Sequence, residues 1–109
     1  MTEDSLEIAP VALKELRESG TDIQLVDVRD DWEREVCALS GSIDIPMIQI
    51  PHQAGQLSPG RPVVVVCHSG MRSLQAATWL RHNGFPGARS LRGGLDAWAA
   101  EIDPAMARY

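Results

Sequence analysis

The chain has 109 residues, 44% hydrophobic and 23% charged, enough for one globular domain with a modest core and too few for two. A formal net charge of −5 argues against nucleic acid as a partner, which needs a concentrated basic face, but leaves room for a small anion at a locally positive site. The polar, acidic start Met1-Thr2-Glu3-Asp4-Ser5 does not read as a secretory signal, and the longest aliphatic run, Val63 to Val66, is far short of the ~20 residues of a membrane helix. A cytoplasmic protein with no membrane contact and two free thiols is expected.

In chain order, Pro10 to Ser19 predicts an amphipathic helix with Val11, Leu13 and Leu16 inward and Gly20 as its stop. Ile23 to Val28 predicts a mostly buried strand, and the charge-rich Asp30 to Val36 a helix behind an acidic first turn. Ser42 to Ile45 reads as a second strand ended by Pro46, and Met47 to Leu57 as a short helix carrying Pro51. After the turn at Ser58-Pro59-Gly60 comes Val63-Val64-Val65-Val66, β-branched throughout, as expected for a strand buried on both faces of a parallel sheet. A helix from about Arg72 to Asn83 follows, with Leu74, Ala77, Trp79 and Leu80 as its apolar positions and Gly84 beyond its end. Ala88 to Leu91 predicts the last strand, before Gly93-Gly94 and a helix carrying Leu95 and Trp98. Alternating strands and helices predict a three-layer α/β domain over residues 1–109, its central sheet mainly parallel and flanked by helices.

The segment Cys67-His68-Ser69-Gly70-Met71-Arg72-Ser73 lies between the expected central strand and a helix. Ligands of open α/β sheets bind beyond the carboxyl ends of strands, which is where Cys67 falls. Successive loop N–H groups, a glycine free to adopt unusual backbone angles, the positive end of the next helix and the Arg72 charge all favour thiolate over thiol. The same donors suit the anionic terminal sulfur of a persulfide, so one cradle serves both states of a two-step transfer.

This loop resembles the active-site loop of the rhodaneses, thiosulfate sulfurtransferases. Three further stretches agree in the family's order: Leu25-Val26-Asp27-Val28-Arg29 followed by Glu33, Gly41-Ser42-Ile43-Asp44-Ile45-Pro46, and Leu91-Arg92-Gly93-Gly94-Leu95-Asp96-Ala97-Trp98. The resemblance implies a rhodanese fold and transfer of sulfane sulfur from thiosulfate or a persulfide donor, through a Cys67 persulfide, to cyanide, a thiol or a sulfur-accepting protein, with no metal or organic cofactor. It makes Cys67 the catalytic residue and places His68, Ser69, Gly70, Met71, Arg72 and Ser73 around the substrate. Four residues separate Cys67 from Arg72, which resembles sulfur-transferring members. The related cell-cycle phosphatases have one residue more.

The chain departs from the family at Cys37 and Ala38, where a glycine and a histidine are frequent, at Arg34, where an aromatic is, and at His68, where arginine or another polar residue is. Arg72 reads either as an anion ligand or as a solvated residue at a helix start. His68 reads as a surface residue or as a proton and hydrogen-bond partner. Asp27 and Arg29 are expected to support the loop, with Asp27 bonding loop groups. Cys37, preceding the second parallel strand, is expected at the sheet end opposite Cys67. No Cys/His cluster has zinc-ligand spacing. Two other functions fit the same loop: a sulfur carrier or binding module that docks to a partner and turns over poorly alone, and a small cysteine-dependent phosphatase or arsenate reductase, which loop length disfavours.

Overall fold

The structure, a computed structural model, describes residues 5–109. Five strands, β1 (Glu7–Ile8), β2 (Gln24–Asp27), β3 (Ile43–Asp44), β4 (Val63–Val66) and β5 (Ala88–Leu91), form one sheet in the order β1-β5-β4-β2-β3, and every neighbouring pair is parallel. The helices are α1 (Pro10–Glu18), α2 (Asp31–Val36), α3 (Ile50–Gln53), α4 (Met71–His82) and α5 (Gly94–Glu101). None is long and apolar enough to cross a membrane among the described residues.

The four valines of β4 are all buried and alternate between two cores, as the two-residue period of a strand requires. Val63 and Val65 join Val26, Ile45, Ile50, Ala77 and Leu80 on the face covered by α3 and α4. Val64 and Val66 join Leu13, Leu25, Leu91, Leu95 and Trp98 on the face covered by α1 and α5. The expected three-layer α/β architecture with a parallel sheet is therefore what forms, with β4 at its centre.

Three local expectations are corrected. Val11, expected inward on α1, is 55% exposed. The stretch expected as one short helix over Met47 to Leu57 is a 3₁₀ turn at Met47–Gln49, the single turn α3 and a second 3₁₀ turn at Ala54–Gln56. Pro51 and Gly55 inside eleven residues prevent a continuous run of good helix formers. An unexpected strand, β1, adds to the edge of the sheet through Ser90 N–H to Leu6 O at 2.8 Å and Arg92 N–H to Ile8 O at 2.9 Å. Two residues are too few to show any periodicity.

Candidate active site

The carboxyl end of β4 delivers Cys67 into a tight loop that opens α4. The N-cap of α4 is Gly70, held at φ 100°, and no side chain from the cap position bonds the helix. The Cys67 sulfur takes that place: Sγ accepts the N–H of Gly70 at 3.1 Å and that of Ser73, the third residue of the helix, at 3.3 Å. An N-cap oxygen ordinarily satisfies such a donor, so here the Cys67 sulfur sits where the helix end is most positive. Cys67 is only 1% exposed.

A hydroxyl network lies on the inner side of the sulfur. The Cys67 S–H donates to Ser73 Oγ at 3.3 Å, the Ser73 and Ser90 hydroxyls are 2.6 Å apart, and Ser90 donates to the Gly70 carbonyl at 3.4 Å. Both serines are fully buried. Ser90 belongs to β5, beside β4, so a neighbouring strand contributes to the cradle.

The back of the loop is fastened by α5. Leu95 N–H bonds Cys67 O at 2.8 Å and Asp96 N–H bonds His68 O at 3.0 Å, so the first-turn amides of one helix hold the carbonyls of the loop that opens another. The approach depends on Gly94: at φ 64°, a Cβ there would lie 2.6 Å from Cys67 O and closer still to His68 O. Among the described residues no acceptor bonds the amides of Met71 and Arg72, which therefore remain open donors in the first turn of α4.

Arg72 pairs with Glu33 of α2 in a fork, Nη2 to Oε1 at 2.7 Å and Nη1 to Oε2 at 2.8 Å. Glu33 also accepts the Asp30 N–H at 3.0 Å and the Tyr109 hydroxyl at 2.9 Å. The Arg72 bonds, opposed by burial and helped by Asp30 and Tyr109, lower the Glu33 pKa to about 2. Arg72 is correspondingly raised, chiefly by Glu33 against the effect of burial, with a further electrostatic contribution from Cys67. The guanidinium thus lies within the field of the sulfur while bound to a carboxylate.

Deeper in the site, Arg29 and Asp27 form an ion pair with both side chains fully buried, Nη2 to Oδ2 at 2.8 Å and Nε to Oδ1 at 3.0 Å. Asp27 also accepts the backbone N–H of Arg29 at 3.0 Å. Its bonds go to Arg29, not to loop residues as expected. Arg29 carries the support outward, donating to Cys37 O at 2.7 Å, Glu33 O at 3.2 Å and the Tyr109 hydroxyl at 3.0 Å. Burial alone would depress the Arg29 pKa, but the bonds with Asp27 and Tyr109 raise it.

Cys37 is therefore on the Cys67 side of the sheet, lining a small hollow with His68, Leu95 and Tyr109, and the expectation of the opposite end is corrected. Both cysteines are free. The His68 ring packs on Tyr109 with centroids 4.2 Å apart, and its Nδ1 is buried without a protein partner among the described residues. Ser69 and Met71 are exposed at the rim. No group of three or more metal-ligating side chains is placed to hold an ion among the described residues. The site's other contributors, Ser90 and Tyr109, carry no local sequence signal, and the double glycine was readable only as a motif.

A cysteine capping the helix after the central strand of a parallel sheet defines a cysteine-loop α/β domain. Residues 9–101 match the family model of the rhodanese-like domain, and the chain belongs to that family. It is 35% identical over 98 residues to the putative sulfurtransferase YtwF of Bacillus subtilis, covering 90% of this chain and 94% of that protein. The human single-domain sulfurtransferase TSTD1 superposes with a TM-score of 0.76 at 27% identity, covering 89% and 97% of the two chains. Other relatives are larger. The match to the probable adenylyltransferase/sulfurtransferase MoeZ of Mycobacterium tuberculosis is 35% identical over 104 residues, 94% of this chain but only 26% of that protein.

Proposed function

We propose that the protein is a sulfurtransferase that carries sulfane sulfur on Cys67. In the first step the Cys67 thiolate attacks the outer sulfur of thiosulfate or of a persulfide donor. A new S–S bond forms, the donor's own bond to that sulfur breaks, and sulfite or a thiolate leaves with the electron pair. In the second step a thiophile, whether cyanide, a small thiol or a partner protein's cysteine, attacks the outer sulfur of the Cys67 persulfide and regenerates the thiolate.

The observation that carries this reading is the Cys67 sulfur bonded by the Gly70 and Ser73 amides at 3.1 and 3.3 Å, with Arg72 within its field. Amides fixed before the reaction stabilise negative charge as it develops, without reorganisation. The amides of Met71 and Arg72, which no acceptor among the described residues bonds, are available to the second sulfur of a persulfide. Relatives of matching length named as sulfurtransferases point the same way.

Intact mass after incubation with thiosulfate tests the reading. A gain of about 32 Da, removed by cyanide and absent from Cys67→Ser, is expected. Wild-type protein that gains no sulfur from thiosulfate or from a low-molecular-weight persulfide would sink it.

A further inference from the structure

Tyr109 joins two ion pairs that would otherwise be separate. Its hydroxyl oxygen accepts from Arg29 Nη1 at 3.0 Å, and its hydrogen is donated to Glu33 Oε1 at 2.9 Å. The chain of contacts runs Asp27, Arg29, Tyr109, Glu33, Arg72, from a buried carboxylate at the end of β2 to a half-exposed guanidinium at the start of α4. The one neutral member is a spacer, keeping the Arg29 cation and the Glu33 anion apart while satisfying both. Its ring is held independently, against His68 at 4.2 Å and edge-on to Trp32 at 5.4 Å.

Resting on the sulfur-transfer reading of Cys67, we propose that Tyr109 is a positioning residue that keeps Glu33 committed to Arg72 and so fixes the Arg72 guanidinium as the anion-recognising edge of the cradle. Without the hydroxyl, the Arg29 N–H and the Glu33 oxygen lose their shared partner, and no neutral group is left between the two charges. Opposite charges so placed draw together, and a shift of about one ångström breaks a fork whose two bonds must be made at once. Arg72, partly exposed, then turns toward water. The donor class this favours is a small anion, bound through the guanidinium N–H groups that Glu33 does not occupy. Burial, chiefly, raises the Tyr109 pKa, so the hydroxyl keeps the proton that it donates.

Tyr109→Phe removes the hydroxyl and retains the ring, and a pair of alkylating reagents reads the result without any sulfur donor. Iodoacetate and iodoacetamide each form an S–C bond to Cys67 and expel iodide, but only the first is an anion. Rates at Cys67, separated from Cys37 by peptide mass, are expected to show the iodoacetate-to-iodoacetamide ratio falling about fivefold in Tyr109→Phe, toward the ratio of Arg72→Gln. General loosening would change both rates together and leave the ratio alone. A wild-type ratio in Tyr109→Phe, and equally in Tyr109→Leu, overturns the proposal. Because this measurement needs no sulfur transfer, failure of the thiosulfate mass test would reject the enzymatic reading while Tyr109 is still decided by the ratio.

Discussion

Arg72 and Glu33 meet in a two-pronged ion pair, 2.7 and 2.8 Å, that ties the first turn of α4 to α2. Among the described residues two of the five guanidinium N–H groups are engaged, which leaves three for a donor's oxygens. The pairing therefore orients the cation rather than silencing it. Glu33→Gln keeps the shape but replaces one oxygen by an NH₂ group that repels Arg72. Steady-state kinetics are expected to show the thiosulfate KM rising about tenfold with a smaller change in kcat, as for lost binding rather than lost chemistry. An unchanged KM would show that Arg72 does not depend on Glu33.

The same carboxylate sets an acid limit on stability. Its pKa is lowered from 4.5 to about 2 in the folded chain, chiefly by the Arg72 hydrogen bonds. The folded state thus binds the proton more weakly than the unfolded one, so the contribution is complete above the unfolded value and disappears as pH falls through the folded value. Its size is about 3 kcal/mol. Urea unfolding of wild type and Glu33→Gln is expected to differ by about this amount at pH 7 and to converge between pH 4.5 and about 2. A gap independent of pH would contradict the assignment.

Arg29 and Asp27 illustrate a different dependence, since both side chains are fully buried. Arg29→Met strands a carboxylate in the interior and is expected to cost about 3–5 kcal/mol in denaturant unfolding. Adding Asp27→Leu to that variant removes the stranded charge, and the double variant is expected to be more stable than the single one. A double variant less stable than Arg29→Met would indicate that the Asp27 bond to the Arg29 backbone N–H outweighs the cost of the stranded charge.

Glycines with similar backbone angles are expected to respond very differently. Gly41 sits at φ 81° with nothing within 4 Å of an added Cβ, so Gly41→Ala should cost only about 1–2 kcal/mol of backbone strain. Gly94 at φ 64° adds a clash with the carbonyls of Cys67 and His68. Gly94→Ala is expected to cost at least about 3 kcal/mol and to slow Cys67 alkylation, because α5 cannot stay bonded to the loop. Thermal melting with iodoacetamide labelling checks both variants.

The fold and the loop were legible because their signals are contiguous. Four successive valines mark the central strand, and Cys67 to Ser73 keeps nucleophile, glycine, arginine and helix start within one run. What was not legible comes from far along the chain or depends on distance. Ser90 and Tyr109 are single polar residues with no period around them, and only the return of β5 and the path of residues 103–109 bring them to the site. Cys37 was expected at the wrong end of the sheet because the chain was assumed to have crossed it by then. The helix α2 has six residues, and at ~1.5 Å each it is shorter than β2, so the chain is still at the carboxyl edge when it reaches Cys37.

The buried hydroxyl pair of Ser73 and Ser90 has a consequence for how the site tolerates a change of charge. At 2.6 Å either oxygen can be the donor. With a thiol present, protons point outward from sulfur to Ser73, to Ser90 and on to the Gly70 carbonyl. With an anion present, each hydroxyl rotates and the file points back toward the sulfur. No heavy atom has to move, so two electrostatic states share one rigid frame, distinguished only by the orientation of two hydrogens.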